Sequence, residues 1–562
     1  MVMKSLELEK IKFILKGSIE KAYIFIVVFF LASLIDVLSL AMVGKYVSLM
    51  VGDENGQNEI IVILRYIYPV EGLKEAIILL SGLIILIFSI KSYVSIKILK
   101  LIAKYSAKVQ STLRKRLAYV YLNEIPVGNK AKSSSEYIYN IDNLVYQFSH
   151  LIIFLGFRSA ADSIIALVIS AYLFYINPMA FTILIIMFTI VFFIYDFIIK
   201  KENIRHGENA NRHYDIFLNH VNNLIFGRLE IKAYERESYF LTKLNESSIE
   251  ASSSAAKTIV FSAAPKYLVE SMLIIFIVSI TIYSTYTNDN YIDLFPGLAI
   301  FAVASLRLVP ALNGLISTMS HIRYNKSSIN RIYNDLQFEN ISKNPHESKI
   351  GSKSKFQNLE IKELNFGYDK NKPIYKNFCM SISRGEKIGI KGKSGSGKST
   401  LINLLLGIVK PTSGAIIFNG NDITNTGLIK HCRLAYLPQK PLIMETSIKD
   451  NILFANNKID EMRLQSAINK ASIQNEGLSL ESILSNTNLS LSGGQLQRLM
   501  IARALYQDAD LFLLDEITSA LDEENESNVI NEILNKVGDA TVLIISHNNE
   551  VLQKCDKVIE IF

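Results

Sequence analysis

The sequence predicts an all-α transmembrane domain of six helices followed by an α/β domain of the P-loop type. Three observations carry this. Half of the 562 residues are hydrophobic and the mean hydropathy is +0.25, high for a chain that meets only water. The long uncharged runs crowd the first 320 positions and then stop. From about Phe356 the texture changes to short β-rich runs, glycine-rich turns and amphipathic helices, among which stands "GKSGSGKS". The expected divisions are a transmembrane domain over 1–336, a polar linker over 337–355, "QFENISKNPHESKIGSKSK", and a nucleotide-binding domain over 356–562.

A spanning helix needs about 20 mostly apolar residues. Six stretches qualify, at about 22–51, 75–103, 149–176, 179–199, 258–283 and 292–320. The connections 104–148 and 200–257 are long and rich in Lys and Arg, whereas "NP" at 177–178 and "STYTNDNYIDLFPG" at 284–297 carry no basic residue. The positive-inside rule therefore puts both termini and the second domain in the cytoplasm. Basic cytoplasmic loops also account for the formal charge of +7 without nucleic acid as a partner. Within the second long connection, "IFGRLEIKAYERE" (225–237) reads as a short helix or a plain connector. The start shows no short apolar segment with a small-residue cleavage site, so no removable signal peptide is expected. Cys379, Cys432 and Cys555 fit neither a zinc site nor a disulfide framework, which points to a reducing compartment.

In the second domain the segment Gly392, Lys393, Ser394, Gly395, Ser396, Gly397, Lys398, Ser399, Thr400 follows the strand-like "EKIGIK" and opens a helix-like run. Glycines in such a loop let successive N–H groups face phosphates. Lys398 then reaches the β and γ phosphates and the Ser399 hydroxyl ligates Mg²⁺. "LFLLDE" (511–516) is a buried-strand pattern ending in two carboxylates. Asp515 can hold Mg²⁺ and Glu516 can polarise an attacking water. Between the two lies "LSLSGGQLQR" (489–498), a turn of Ser492, Gly493 and Gly494 that opens another helix. One P-loop protein needs no second anion cradle for the same phosphate, so this turn fits nucleotide held by a different subunit.

With these motifs in this order and spacing, the chain resembles the ABC transporters, and six spans before one such domain resemble the exporter half-transporters. The resemblance implies ATP and Mg²⁺ as cofactors, ATP hydrolysis coupled to transport, and a homodimer with two composite ATP sites. It makes Tyr368 in "FGYD" the aromatic that stacks on adenine, and Gln439 in "YLPQKP" the glutamine that senses Mg²⁺. Gln495 falls in the "LSGGQ" signature, Asp522 closes the "SALD" segment, and His547 in "IISHN" is the switch histidine on the γ-phosphate. Two departures stand out: "LSNTNLS" replaces the glycine and acidic element usual before the signature, and "KVIEIF" ends the sequence where relatives turn at a glycine.

Among exporters, "AAPKYLVES", "LRLVPALNGLISTMSHIRYNKSSINRIY" and the apolar "NEIIVILRYIYPV" after the first span look like flippases of lipid-linked oligosaccharides in the bacterial inner membrane. The expected cargo is then amphipathic, anionic and lipid-linked, exported or flipped across the inner membrane, with membrane lipid as a partner. Export of a peptide, drug or other lipid, or a regulator gated by ATP, are the alternatives. Basic residues inside spans bear on this choice. Arg158 has Asp162, and Lys266 has Glu270, four residues on. Lys91 and Arg307 have no such neighbour, and Arg307 lies roughly 16 Å into its span at 1.5 Å per residue. Either they pair with Asp36 of the first span, or Lys91, Lys266 and Arg307 face a water-filled cavity that takes the anion.

Overall fold

The computed structural model describes residues 9–16, 22–51, 73–123, 132–287, 295–342 and 353–561, apart from 370–371, 394, 457, 474–478, 485–490, 517–529 and 531–532. These residues form two compact units, one within 1–343 and one within 344–562.

The first unit is helical throughout. Its elements are α1 (Ala22–Val51), α2 (Leu73–Asn123), α3 (Ser134–Ile176), α4 (Pro178–Phe226), α5 (Arg228–Ala233), α6 (Glu237–Thr287), α7 (Phe295–Tyr324) and α8 (Lys326–Ser342). α1 shows what solvent these helices are built for. Ser33, Asp36 and Ser39 recur at a spacing of three and are buried, while Ile24, Leu31 and Leu38 are more than half exposed. Polar groups inside and apolar ones outside is the arrangement a hydrocarbon surround demands. Five of the helices, α1, α2, α3, α4 and α6, are long and apolar enough to cross a membrane among the described residues. α7, a continuous 30-residue helix, coincides with the sixth expected span.

Most of these helices overrun their expected spans. α2, α4 and α6 each run for about 50 residues, so the basic connections are helix rather than loop. α3 begins at Ser134 and widens to π-helical turns at Asn140–Leu144 and Phe148–Phe154. α4 starts on a proline at its first position, with the Asn177 side chain accepting the Ala180 N–H. Of the two readings of 225–237, short helix or plain connector, the structure shows the helix, α5. A Cβ on Gly207 would stand 2.0 Å from the Tyr324 carbonyl oxygen, so only glycine lets α4 approach α7 there. α8 continues through residue 342, making the first six residues of the expected linker helical; 343–352 lie outside the described residues, and Phe356 is already core. The apolar "NEIIVILRYIYPV" segment also falls outside them.

The second unit holds two sheets. β1 (Asn358–Phe366), β2 (Tyr375–Ser383), β4 (Ser413–Phe418) and β5 (Asn421–Asp422) form an antiparallel sheet in the order β2-β1-β4-β5. β3 (Lys387–Gly392), β6 (Leu434–Leu437), β7 (Leu511–Asp515), β8 (Thr541–Ile545) and β9 (Lys557–Ile561) form a parallel sheet in the order β6-β7-β8-β3-β9. β7 and β8 are buried along their whole length, as strands covered on both faces are. The helices used below are α9 (Lys398–Leu406), α10 (Ile448–Leu453), α11 (Glu461–Lys470) and α12 (Gly493–Tyr506). Register fixes the site: Asp515 lies opposite Ile545, and Ile545 opposite Ile390. The segments leaving β3, β7 and β8 therefore emerge together at the carboxyl edge of the sheet, where open α/β sheets bind ligands.

Candidate functional site

β3 delivers the glycine-rich loop to that edge. Gly395 and Gly397 take φ of +82° and +104°, the region glycine occupies without penalty. A Cβ on Gly397 would sit 2.4 Å from Ile374 Cγ2. Lys398 opens α9, and its buried ammonium donates to the carbonyls of Gly392 at 3.1 Å and Lys393 at 3.2 Å. It also lies 3.0 Å from His547 Nε2 and 3.5 Å from Glu516 Oε1. Ser399 donates to Asp515 Oδ1 at 3.5 Å, and Asp515 Oδ2 accepts from the Tyr436 hydroxyl at 3.4 Å. Glu516 Oε1 is 3.1 Å from His547 Nε2, and Oε2 accepts from Gln439 at 3.0 Å. Four distant segments thus converge within hydrogen-bond reach of one another.

Burial raises the Asp515 carboxyl above its ordinary value, with the Glu516 charge adding, against the pull of bonds from Tyr436 and Ser399 and of the Lys398 charge. The Tyr436 hydroxyl is pushed up to about 12, mainly by burial. The set fits ATP with Mg²⁺. Ser396 Oγ is buried without a hydrogen-bond partner among the described residues, facing into the loop that has to meet phosphate. The Ser399 hydroxyl and the Asp515 carboxylate are the hard oxygen donors that Mg²⁺ takes. Tyr368 is 40% exposed, its hydroxyl 3.4 Å from Thr400 Oγ1, so one end is tethered and the ring remains accessible. Ser394 and Asp522 lie outside the described residues.

The Ser492 turn is built separately. Ser492 caps α12 by accepting from Gln495 N–H at 3.2 Å, and the Gln495 side chain accepts the Ser492 N–H at 3.0 Å, a reciprocal capping box. A Cβ on Gly493 or Gly494 would meet nothing within 4 Å. Among the described residues no hydrogen bond or ion pair joins this turn to the glycine-rich loop. The far end of α12 is anchored by Arg503, which donates to Asn451 O, Asn451 Oδ1 and Leu442 O and lies 4.5 Å from the centre of the Phe454 ring. Sequence reasoning missed Arg503, Tyr436 and Tyr375. The Tyr375 hydroxyl donates to Gly397 O at 2.9 Å and fastens the loop, and burial raises its pKa so that it stays a donor. No spacing rule singles out such residues, because they act by packing onto the motif.

A cavity of about 900 Å³, with charged and apolar side chains in its lining, lies within the helical unit. Three basic side chains line it, Arg158, Lys266 and Arg307, against two acidic ones, Asp162 and Glu270. Lys266 and Glu270 face each other at 3.8 Å, whereas Arg158 and Asp162 form no ion pair within 4.0 Å among the described residues. Arg307 is 44% exposed and its Nη2 lies 3.5 Å from Asp36 Oδ1. Lys91, expected beside it in the cavity, is not among the lining residues. It is buried at 2.5 Å from the same Asp36 oxygen, while Asp36 itself lines a smaller cavity of about 270 Å³ together with Arg158, Asp162 and Arg307.

A family model described as ABC transporter matches residues 375–519. A probable ABC transporter ATP-binding/permease protein of Haemophilus influenzae is 32% identical over 292 residues, 48% of this chain and 52% of that protein. An ATP-dependent lipid A-core flippase of Burkholderia orbicola is 25% identical over 411 residues, 71% of this chain and 67% of that protein. The colicin V secretion/processing ATP-binding protein CvaB of Escherichia coli is 37% identical over 211 residues, 36% of this chain and 30% of that protein. The chain thus spans about half the length of the Haemophilus relative and less of the Escherichia one. A solved structure of a bacterial Atm1-family ABC exporter with ATP bound has the same fold, with a TM-score of 0.73 at 17% identity, over 98% of this chain and 94% of that one.

Proposed function

We propose, from the premise that this chain joins an ABC transporter nucleotide-binding domain to a helical domain of the ABC exporter fold, that two copies form an ATP-driven exporter. It sits in the bacterial inner membrane with its ATPase domains in the cytoplasm and flips an anionic amphiphile such as a lipid-linked oligosaccharide. Lys398 holds the phosphates of ATP, and Gly395 to Gly397 present the loop backbone to them. Mg²⁺, held by Ser399 and Asp515 with Gln439 near, would neutralise charge developing on the phosphates. Glu516 positions and polarises the attacking water, and His547 orients Glu516 and the leaving phosphate. In the geometry described, Lys398 and His547 both occupy Glu516. Phosphate that draws Lys398 away leaves Glu516 to water, so hydrolysis follows binding. The exposed Ser492 turn supplies the anion cradle to the partner's nucleotide.

The cargo reading rests on Arg307. A half-exposed guanidinium lining a cavity of mixed polar and apolar character is suited to an anionic amphiphile, and it can grip a phosphate with two parallel hydrogen bonds. The Burkholderia flippase match supports a lipid cargo, since 411 residues are far more than the nucleotide-binding domain holds, whereas the 211 residues matched to CvaB are about the length of that domain. The test is ATP hydrolysis in liposomes. A polyprenyl diphosphate will raise the rate and the matching polyprenyl alcohol will not, and Arg307→Leu will remove the increase. Equal stimulation by both lipids, or by neither, refutes an anionic lipid cargo.

A further inference from the structure

Asp36 is the hub of the membrane-embedded charges. It is 4% exposed on α1, and one oxygen, Oδ1, meets both Lys91 Nζ of α2 at 2.5 Å and Arg307 Nη2 of α7 at 3.5 Å. The two cations are placed very differently. Lys91 is 7% exposed, donates also to Ser39 Oγ at 3.2 Å, and stands 5.0 Å from the centre of the Phe88 ring. It is the nearer and more deeply buried of the two partners of Asp36. Arg307 is 44% exposed and lines the 900 Å³ cavity.

Charge balance then decides what the cavity presents. Asp36 can cancel one positive charge, and the nearer, more deeply buried partner takes it, because Coulomb attraction grows as distance and dielectric fall. With Lys91 in place, Asp36 and Lys91 neutralise each other and Arg307 keeps its charge for the cavity. Without Lys91, Asp36 would become the counter-ion of Arg307, and the three bases and two acids of the lining would be offset by one further acid behind them.

We infer that Lys91 is a positioning residue that sets the sign of the cavity: by occupying Asp36 it keeps Arg307 electrostatically available, and this makes the cavity selective for an anionic headgroup. Asp36 meanwhile orients the guanidinium without quenching it. This inference rests on the proposed anionic cargo for its meaning, but the potential it describes exists with or without cargo.

The test reads that potential directly. In a variant whose three native cysteines are replaced by Ala, Ser317→Cys places a thiol on the cavity lining. The readout is the ratio of its reaction rates with an anionic sulfonate and a cationic trimethylammonium methanethiosulfonate reagent. Lys91→Met is expected to lower the anionic-to-cationic ratio by about tenfold, the effect of one unit charge worth about 1.4 kcal/mol, and Lys91→Met with Asp36→Asn to restore it. A ratio that Lys91→Met leaves unchanged, or that the double variant fails to restore, overturns the inference and leaves Lys91 a purely structural ion-pair partner. Thermal unfolding of each variant checks that the compared proteins are folded. Binding in nanodiscs to a polyprenyl diphosphate, its alcohol and inorganic diphosphate forms the second arm. Lys91→Met is expected to weaken the lipid diphosphate alone, tighter inorganic diphosphate binding would mark a free anion as the ligand, and a ratio that follows the expected pattern while wild type ignores lipid charge keeps the inference and refutes the cargo proposal.

Discussion

Glu516 holds its backbone at φ of 46°, in the left-handed region that costs a non-glycine residue about 1–3 kcal/mol unless its surroundings over-determine it. They do: its N–H donates to Ile545 O at 3.1 Å, and its carboxylate is held by Gln439, His547 and Lys398. The side chain is thereby aimed from the end of β7 across the edge of the sheet. Glu516→Gln keeps the shape and the bond to Gln439's neighbourhood but removes the basic oxygen. It will bind ATP, lose about 10²–10⁴-fold in hydrolysis, and trap nucleotide in a closed dimer, as retention of labelled ATP on gel filtration will show. Lys398→Ala, in contrast, will weaken nucleotide binding itself. Near-normal turnover by Glu516→Gln would remove Glu516 from its role as the base.

At the scale of elements, Pro265 interrupts α6, and its missing N–H leaves the Phe261 carbonyl without its helical donor. The Tyr195 hydroxyl of α4 donates to that carbonyl, so the break in one helix is closed by its neighbour. Tyr195→Phe will leave a carbonyl unsatisfied in apolar surroundings and cost about 1–3 kcal/mol, visible as a lower unfolding temperature in detergent. Adding Pro265→Ala restores the donor and will recover most of the loss; absence of recovery would refute the account. Such cross-helix repairs were illegible in the sequence. The helices themselves were legible, because lipid imposes a length and an apolar composition, and α1 starts and ends where the apolar run does. The overrun of α2, α4 and α6 was not, since a polar helix and a polar loop share a composition. The nucleotide motifs were legible because each is contiguous, whereas Tyr375 and Tyr436 reach the site, and Arg503 anchors α12, through tertiary packing. The sequence left Lys91 open between ion pair and cavity for the same reason: the distance from Asp36 depends on how α1 meets α2.

For the whole molecule, the exposed Ser492 turn and the convergent Lys398 site are two halves that one chain does not join among its described residues. Mixing a protomer disabled by Gly493→Asp with one disabled by Lys398→Ala will therefore restore one intact composite site and measurable ATP hydrolysis, while either variant alone stays inactive. No activity in the mixture, with heterodimers verified by pull-down, would refute the composite arrangement. The Asp36 and Lys91 contact also bears on how the first helix is accommodated in the bilayer. Asp36 arrives in the bilayer on the first long helix, where a lone carboxylate costs about 2.5–3.5 kcal/mol on the translocon scale. Its close partner comes on α2, the next long helix among the described residues, and Arg307 on α7. Among the described helices, the pair α1 and α2 is thus the smallest piece of the domain that carries Asp36 together with its close counter-charge.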